Sequence, residues 1–279
     1  MRSVPFKVAI PSLVITAVLA ACNGGGGSYA ERTAVKPAAT GGEELSSTAI
    51  DDENEEPEVG AEGDDDTPPP EMTANSKPGS RSGAAALIGE ASRELAVMRT
   101  SVYSHQTHID EQASLFDYDC SGFVDYALAH AAPDALAVLR EASVKRPLAK
   151  DFVGFFSSIP ANGQIGRWHR VAHAADLVPG DIVAWLRPSD STSKNTGHVM
   201  IVHGGVGRDL GHPDAYDVPV VDSTSARHGK GDSRALHTTG LGTGAIVLIV
   251  DGSGAPIHYR WTRGKSREHA STIVLAHLD

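Results

Sequence analysis

The sequence predicts an α+β domain of about 200 residues carried on a long tether, and three observations predict it. Apolar residues recur at helical spacing through the first part of the folded region. From Arg167 onward, short β-branched runs alternate with Gly, Pro and Asp turns. Ahead of residue 80 the composition is too polar to offset the entropy of ordering.

Taken in order, residues 1–21 open with Arg2 and Lys7 and continue through the apolar run Val8 to Ala21 into "LAAC", Leu19 to Cys22. This is the pattern of a secretory signal peptide, with an apolar run too short for a permanent membrane span. Leucine, two small residues and cysteine resemble the bacterial lipobox, which implies cleavage before Cys22 and its lipidation. One acyl chain holds a protein only marginally and two or more hold it firmly, so the multiply acylated Cys22 implied by the resemblance is a stable anchor. Asn23 follows it where inner-membrane retention would call for aspartate. The expected location is therefore the cell envelope, on the outer membrane facing the periplasm.

Residues 22–79 carry 14 acidic and 3 basic side chains, with "NGGGGS" and "DDENEEPEVGAEGDDDTPPPE" within them. Such a segment reads as an extended, self-repelling disordered tether that gives the domain reach. Residues 80–279 hold 21 acidic and 19 basic side chains. The acidity of the chain thus belongs to the tether, and no basic surface points to nucleic acid.

In the domain, Leu87, Ile88, Ala91, Leu95 and Met98 mark one face of a helix with Ser82 near its start. The polar stretch Ser101 to Ser114 lacks periodicity and reads as a loop. In "FDYDCSGFVDYAL", Cys120, Phe123, Val124, Ala127, Leu128 and Ala131 form one helical stripe. Asp117 or Asp119 caps it, and Cys120 lies in its first turn. Two short helices follow over 134–142 and 148–156. Seven runs, "RWHRVA", "DIVAWL", "HVMIVHG", "YDVPVVD", "AIVLIV", "PIHYRW" and "STIVLAHL", then predict strands. Their spacing favours an antiparallel sheet against the earlier helices.

With Cys22 used as an anchor, Cys120 has no disulfide partner in the chain, which leaves a buried structural cysteine or a reactive thiol. The head of a helix stabilises a thiolate through its exposed amides and dipole, so the position suits a nucleophile. The same amides suit an oxyanion hole. A nucleophilic cysteine also needs a base. Of 13 histidines, His198 begins an apolar run beside the polar loop "RPSDSTSKNTG", where a strand holds an imidazole at a cleft. Asp222 closes the run "DVPVVD" and would orient that ring if the two strands are antiparallel neighbours. His105, His108, His169, His203 and His228 show no recognisable metal-ligand spacing. Asp181 reads as a turn-bonding residue, and Trp185 and Trp261 as core.

"DYDCSGFVDYAL", "LVPGDIVAW" and "GHVMIV", in this order over roughly Tyr103 to Thr224, resemble the NlpC/P60 family of cell-wall cysteine peptidases. The resemblance implies a papain-like α+β fold, with cysteine on a helix and histidine on the sheet, acting on peptide bonds of peptidoglycan stems. It makes Cys120 the nucleophile and His198 the base of a thiolate–imidazolium pair. Members often have histidine in a run like Ile-His-Ala-Ser, whereas this chain reads "VDST", Val221 to Thr224, so Asp222 takes the third place. A carboxylate can orient an imidazolium there. Tyr103, 17 residues before the cysteine, and Ser121 fall at the substrate pocket, while Asp117, Asp119 and Ser121 also shape the helix start. No cofactor or metal is implied. The expected partners are peptidoglycan and the membrane through the lipid on Cys22, with the protein acting as a monomer. Two other readings remain: a non-catalytic envelope module of the same fold, and a related amidase at the sugar–peptide junction or an acyl transferase. The long segments 134–160 and 205–217 are expected to shape the cleft.

Overall fold

The computed structural model describes residues 82–141, 146–264 and 266–279. The expected signal peptide over 1–21, the lipidation site Cys22 and the tether over 22–79 lie outside the described residues. Ser82 opens helix α1 (Gly83–Val97) by accepting the amide of Ala85 at its hydroxyl, and Leu87, Ala91 and Glu94 turn inward. The expectation of a structureless segment from Ser101 to Ser114 needs correction. Strand β1 (His108–Asp110) pairs antiparallel with β2 (Leu115–Asp117), with Ile109 opposite the buried Phe116. Three residues with one apolar side chain are too few to show a period of two, so the hairpin leaves no sequence pattern.

Helix α2 (Cys120–Ala131) begins at Asp119, whose carboxylate accepts the amide of Gly122 at 2.7 Å. Phe123, Val124 and Leu128 are fully buried along its stripe, each contributing about 1.5–3 kcal/mol of transfer free energy before ordering entropy is counted. Helix α3 (Pro133–Glu141) starts on a proline, whose fixed φ suits the first helical position. In α4 (Ala149–Ser158), the Asp151 carboxylate turns back to accept the amide of Leu148 at 2.9 Å.

The strands are β3 (Gln164–Ile165), β4 (Trp168–Val171), β5 (Ile182–Leu186), β6 (Gly197–Val202), β7 (Gly207–Arg208), β8 (Ala215–Thr224), β9 (Gly240–Val250), β10 (Pro256–Arg260), β11 (Glu268–Ala270) and β12 (Ile273–Leu278). Among the described residues they form one antiparallel sheet in the order β11-β10-β9-β8-β6-β5-β12-β4-β3, with β7 added on β8. The mixed helix and antiparallel-sheet class is as expected, and each of the seven apolar runs lies in a strand.

Alternation along the strands gives the sheet two buried faces. Val199, Ile201, Val221 and Val274 face α2 and α4. Trp185, Met200, Val218, Ile246, Tyr259 and Leu275 form a second core on the opposite face. Strand β10 contacts β12 although four strands separate them in the sheet, so the sheet curls over this second face. The head of α2 and the starts of β6 and β9 meet at the rim between the two cores, and the chemically versatile side chains gather there.

Candidate functional site

Cys120 is the first residue of α2 and is 5% exposed. The backbone amides of Val199 and Ser121 lie close enough to its sulfur to favour the thiolate. Val199 directly follows His198, so the register of β6 against α2 sets the thiol beside the backbone that carries the imidazole. The sulfur also lines a groove of about 380 Å³, shared with Tyr103, Ser121, Leu148 and Gly197. A second hollow of about 440 Å³ beside Ala129, Leu136 and Arg140 contains no nucleophile.

His198 stands one residue into β6 and is 8% exposed. Strands β6 and β8 are antiparallel neighbours, with Ile201 opposite Val221, which brings the start of one beside the end of the other. The result is a hydrogen bond of 2.6 Å between His198 Nε2 and Asp222 Oδ2. Because an ionised carboxylate only accepts, Nε2 donates and Nδ1 is left as the basic nitrogen. Trp185 and Trp261 flank the ring, at centroid distances of 5.7 and 5.1 Å. The ring is thereby fixed on two sides as well as along its hydrogen bond.

Asp222 is fully buried and saturated. Its Oδ2 also accepts from His228 Nε2 at 3.0 Å, and its Oδ1 from Arg234 Nη2 at 2.6 Å. Arg234 is fastened in turn by Asp232 Oδ2 at 2.7 Å and by the carbonyl of Gly240 at 2.8 Å. These partners come from the connection between β8 and β9. The sequence shows no metal-ligand spacing around His228 and no motif around Arg234 or Asp232, so reasoning from it assigns none of the three to the site. The legible signal was the alternation Gly240, Gly242 and Gly244 in β9, since glycine within a strand marks a close approach. A Cβ at Gly242 would lie 2.6 Å from Arg234 Cγ, and one at Gly244 would lie 2.6 Å from His228 Cβ.

Electrostatics separate the two acidic groups. Burial works to raise the Asp222 carboxyl, but His228 and Arg234 beside it and the two imidazole hydrogen bonds outweigh it. They hold Asp222 well below the ordinary carboxylate range. Burial pushes the Cys120 thiol up to about 12, Asp119 and Asp222 add to that, and the amides of Val199 and Ser121 only partly oppose it. This corrects the expectation of a thiol acidified by its helix. Only 5% of Cys120 is exposed, so desolvation of the thiolate exceeds what the helix amides return. The resting sulfur is a neutral thiol.

Comparison with protein-family models, curated proteins and solved structures returned no match.

The other expected positions divide. Tyr103 lines the groove, and its phenol is raised by burial first and then by the acidic groups beside it, Asp119 and Asp222 among them. Ser121 lines it as well, but its hydroxyl donates to Asp119 Oδ1 at 3.0 Å. Asp119 is occupied further by Arg146, at 2.6 and 2.9 Å, and by the Gly122 amide. Burial would raise this carboxyl, yet those partners lower it. Asp119 therefore braces the helix start. Asp117 accepts the amide of Val102 at 2.8 Å. Asp181 accepts the turn amide of Val178 at 2.9 Å and pairs with His277 at 2.6 Å. Trp185 is core, stacked on Tyr259 at 4.1 Å, whereas Trp261 is half-buried against the two imidazoles. His105 contacts Asp119, while His108, His169 and His203 stand apart from this network. Among the described residues no group of three His, Cys, Asp or Glu side chains is arranged to hold a metal ion. The segment 134–160 supplies Leu148 and Ala149 to the groove wall, while 205–217 folds back as β7 on β8.

Proposed function

We propose that this protein is a papain-like cysteine hydrolase of the NlpC/P60 type, held in the envelope by lipid on Cys22, that cleaves an amide bond in peptidoglycan stem peptides. One observation carries the reading. A groove-lining thiol at the head of a helix lies against the amide that follows a histidine, and that histidine donates to a buried carboxylate.

In this reading Cys120 Sγ attacks the carbonyl carbon of the substrate while His198 Nδ1 takes the thiol proton. The raised thiol makes proton transfer accompany attack and leaves no standing ion pair beforehand. The amide of Cys120, at a helix position without an intrahelical acceptor, is placed to donate to the developing oxyanion. His198 then returns the proton to the leaving amine, and water cleaves the thioester. Asp222 holds the tautomer throughout.

The test is mass analysis of purified sacculi incubated with the full chain. Soluble fragments with a newly freed amine are expected from the parent and none from Cys120→Ala or His198→Ala, both with unchanged melting. Fragments cut at the sugar–peptide junction would make it an amidase. Equal release by parent and variants, or none from any of them, would end the hydrolase reading.

A further inference from the structure

The polar network extends beyond the groups that move a proton, and its donors and acceptors can be counted. His228 is 3% exposed. Its Nε2 is 3.0 Å from Asp222 Oδ2, and its Nδ1 is 3.0 Å from the carbonyl oxygen of Trp261. A carbonyl oxygen can only accept, and so can an ionised carboxylate. With Arg234 on Oδ1 and two imidazoles on Oδ2, the carboxylate is the ionised form. A neutral His228 would then set one ring lone pair against an oxygen lone pair away from water, a mismatch that leaves a buried acceptor without a donor.

We propose that His228 is an imidazolium locked onto Asp222, a positioning residue that shares one carboxylate oxygen with His198 and so moderates the negative charge His198 feels. The inference rests on the hydrolase reading for the role of His198, but the charge state of His228 stands on the hydrogen-bond count alone. The groups facing this cluster are His198 from β6, Asp222 from β8, Arg227, Asp232 and Arg234 from the β8–β9 connection, and Trp261 after β10, with Cys120 and Tyr103 within electrostatic reach of Asp222. Arg234 and His228 between them engage both oxygens of Asp222, so His198, the third group on that carboxylate, is the one left to change charge. An unmoderated Asp222 would hold a proton on His198 more tightly and take the base out of action at higher pH. Gly244 supports the placement, because any side chain there would occupy the space of the His228 ring.

The experiment is nitrogen NMR of the histidine side chains in the full chain, parent and His228→Gln, from pH 5 to 9. In the parent, both nitrogens of His228 are expected to carry protons at about pH 8, where an ordinary imidazole is neutral. In the variant, the His198 titration midpoint should rise by roughly one pH unit, and the acid limb of kcat/KM should move with it. An unprotonated nitrogen on His228 at that pH, or an unmoved His198 midpoint in a folded variant, would overturn the proposal. If the variant does not fold, the parent spectrum decides alone. If no substrate is cleaved, the hydrolase reading falls, whereas the spectra still judge this one.

Discussion

His198 and Asp222 meet through Nε2 and Oδ2 at 2.6 Å, and the same carboxylate is also held by Arg234 at 2.6 Å. One residue thus serves the proposed chemistry and the fold together. Asp222→Asn should lower kcat/KM roughly 10²–10⁴-fold by losing the tautomer lock. It should also lower stability by about 3–5 kcal/mol, because His228 loses its buried counter-charge and Arg234 keeps only that of Asp232. His198→Ala should abolish cleavage and leave the melting midpoint nearly unchanged, since the Arg234 contact remains. Fragment release and thermal melts of both variants check this, and an Asp222→Asn protein that melts and cuts like the parent would refute it.

This double duty explains what could be read from the chain beforehand. Cys120, Phe123, Val124 and Leu128 repeat at helical spacing behind Asp119, which is local information, and α2 is where that pattern puts it. His198 and Asp222 sit at the ends of two apolar runs, so strand pairing alone was enough to unite them. His228 and Arg234 lie in an aperiodic connection, and their role depends on how that connection folds over β9. The state of the thiol was hidden for a similar reason. Helix position is written locally, but burial under 194–197 and α4 is a tertiary outcome, and it reverses the direction of the shift.

That reversal is measurable on Cys120 itself. Because its folded pKa is raised, the neutral thiol is the resting form, and the thiolate fraction grows only at alkaline pH. Alkylation by iodoacetamide should be slower at neutral pH than for a free cysteine and should keep rising through about pH 10, beyond the ordinary thiol value. A rate that levels off below about pH 8 would establish a standing thiolate–imidazolium pair instead.

The start of β6 depends on Gly197, which pairs with Leu186 and has φ of +142°. A Cβ there would lie 1.9 Å from the carbonyl oxygen of Trp185. Gly197→Ala must therefore shift the strand end that carries His198, with a stability cost of about 1–3 kcal/mol and a larger loss of cleavage than of folded protein. Gly205→Ala, where a Cβ meets nothing within 4 Å, is the control. Urea titrations and initial rates of both compare them, and equal effects would show that the backbone at Gly197 is not what positions the imidazole.

Glu94 makes stability fall with rising pH. Its side chain is fully buried between α1 and the approach to α2, Tyr118 donates to its Oε2 at 2.7 Å, and its Oε1 has no hydrogen-bond partner. Burial raises its carboxyl to about 8, against the hydrogen bond from Tyr118. A carboxyl with a raised folded pKa contributes stability that is fully present below the unfolded value near 4.5 and is lost as pH climbs to about 8. The loss is on the order of a few kcal/mol. Glu94→Gln keeps an acceptor for Tyr118 and cannot ionise, so its unfolding free energy should stay flatter across that window and exceed the parent's at pH 8. His277, whose raised pKa through Asp181 adds its own decline over part of this range, is common to both proteins and cancels in the difference. Parallel curves for parent and variant between pH 5 and 9 would mean that Glu94 is ionised throughout, with charge compensation that its buried and partly unpaired carboxyl does not provide.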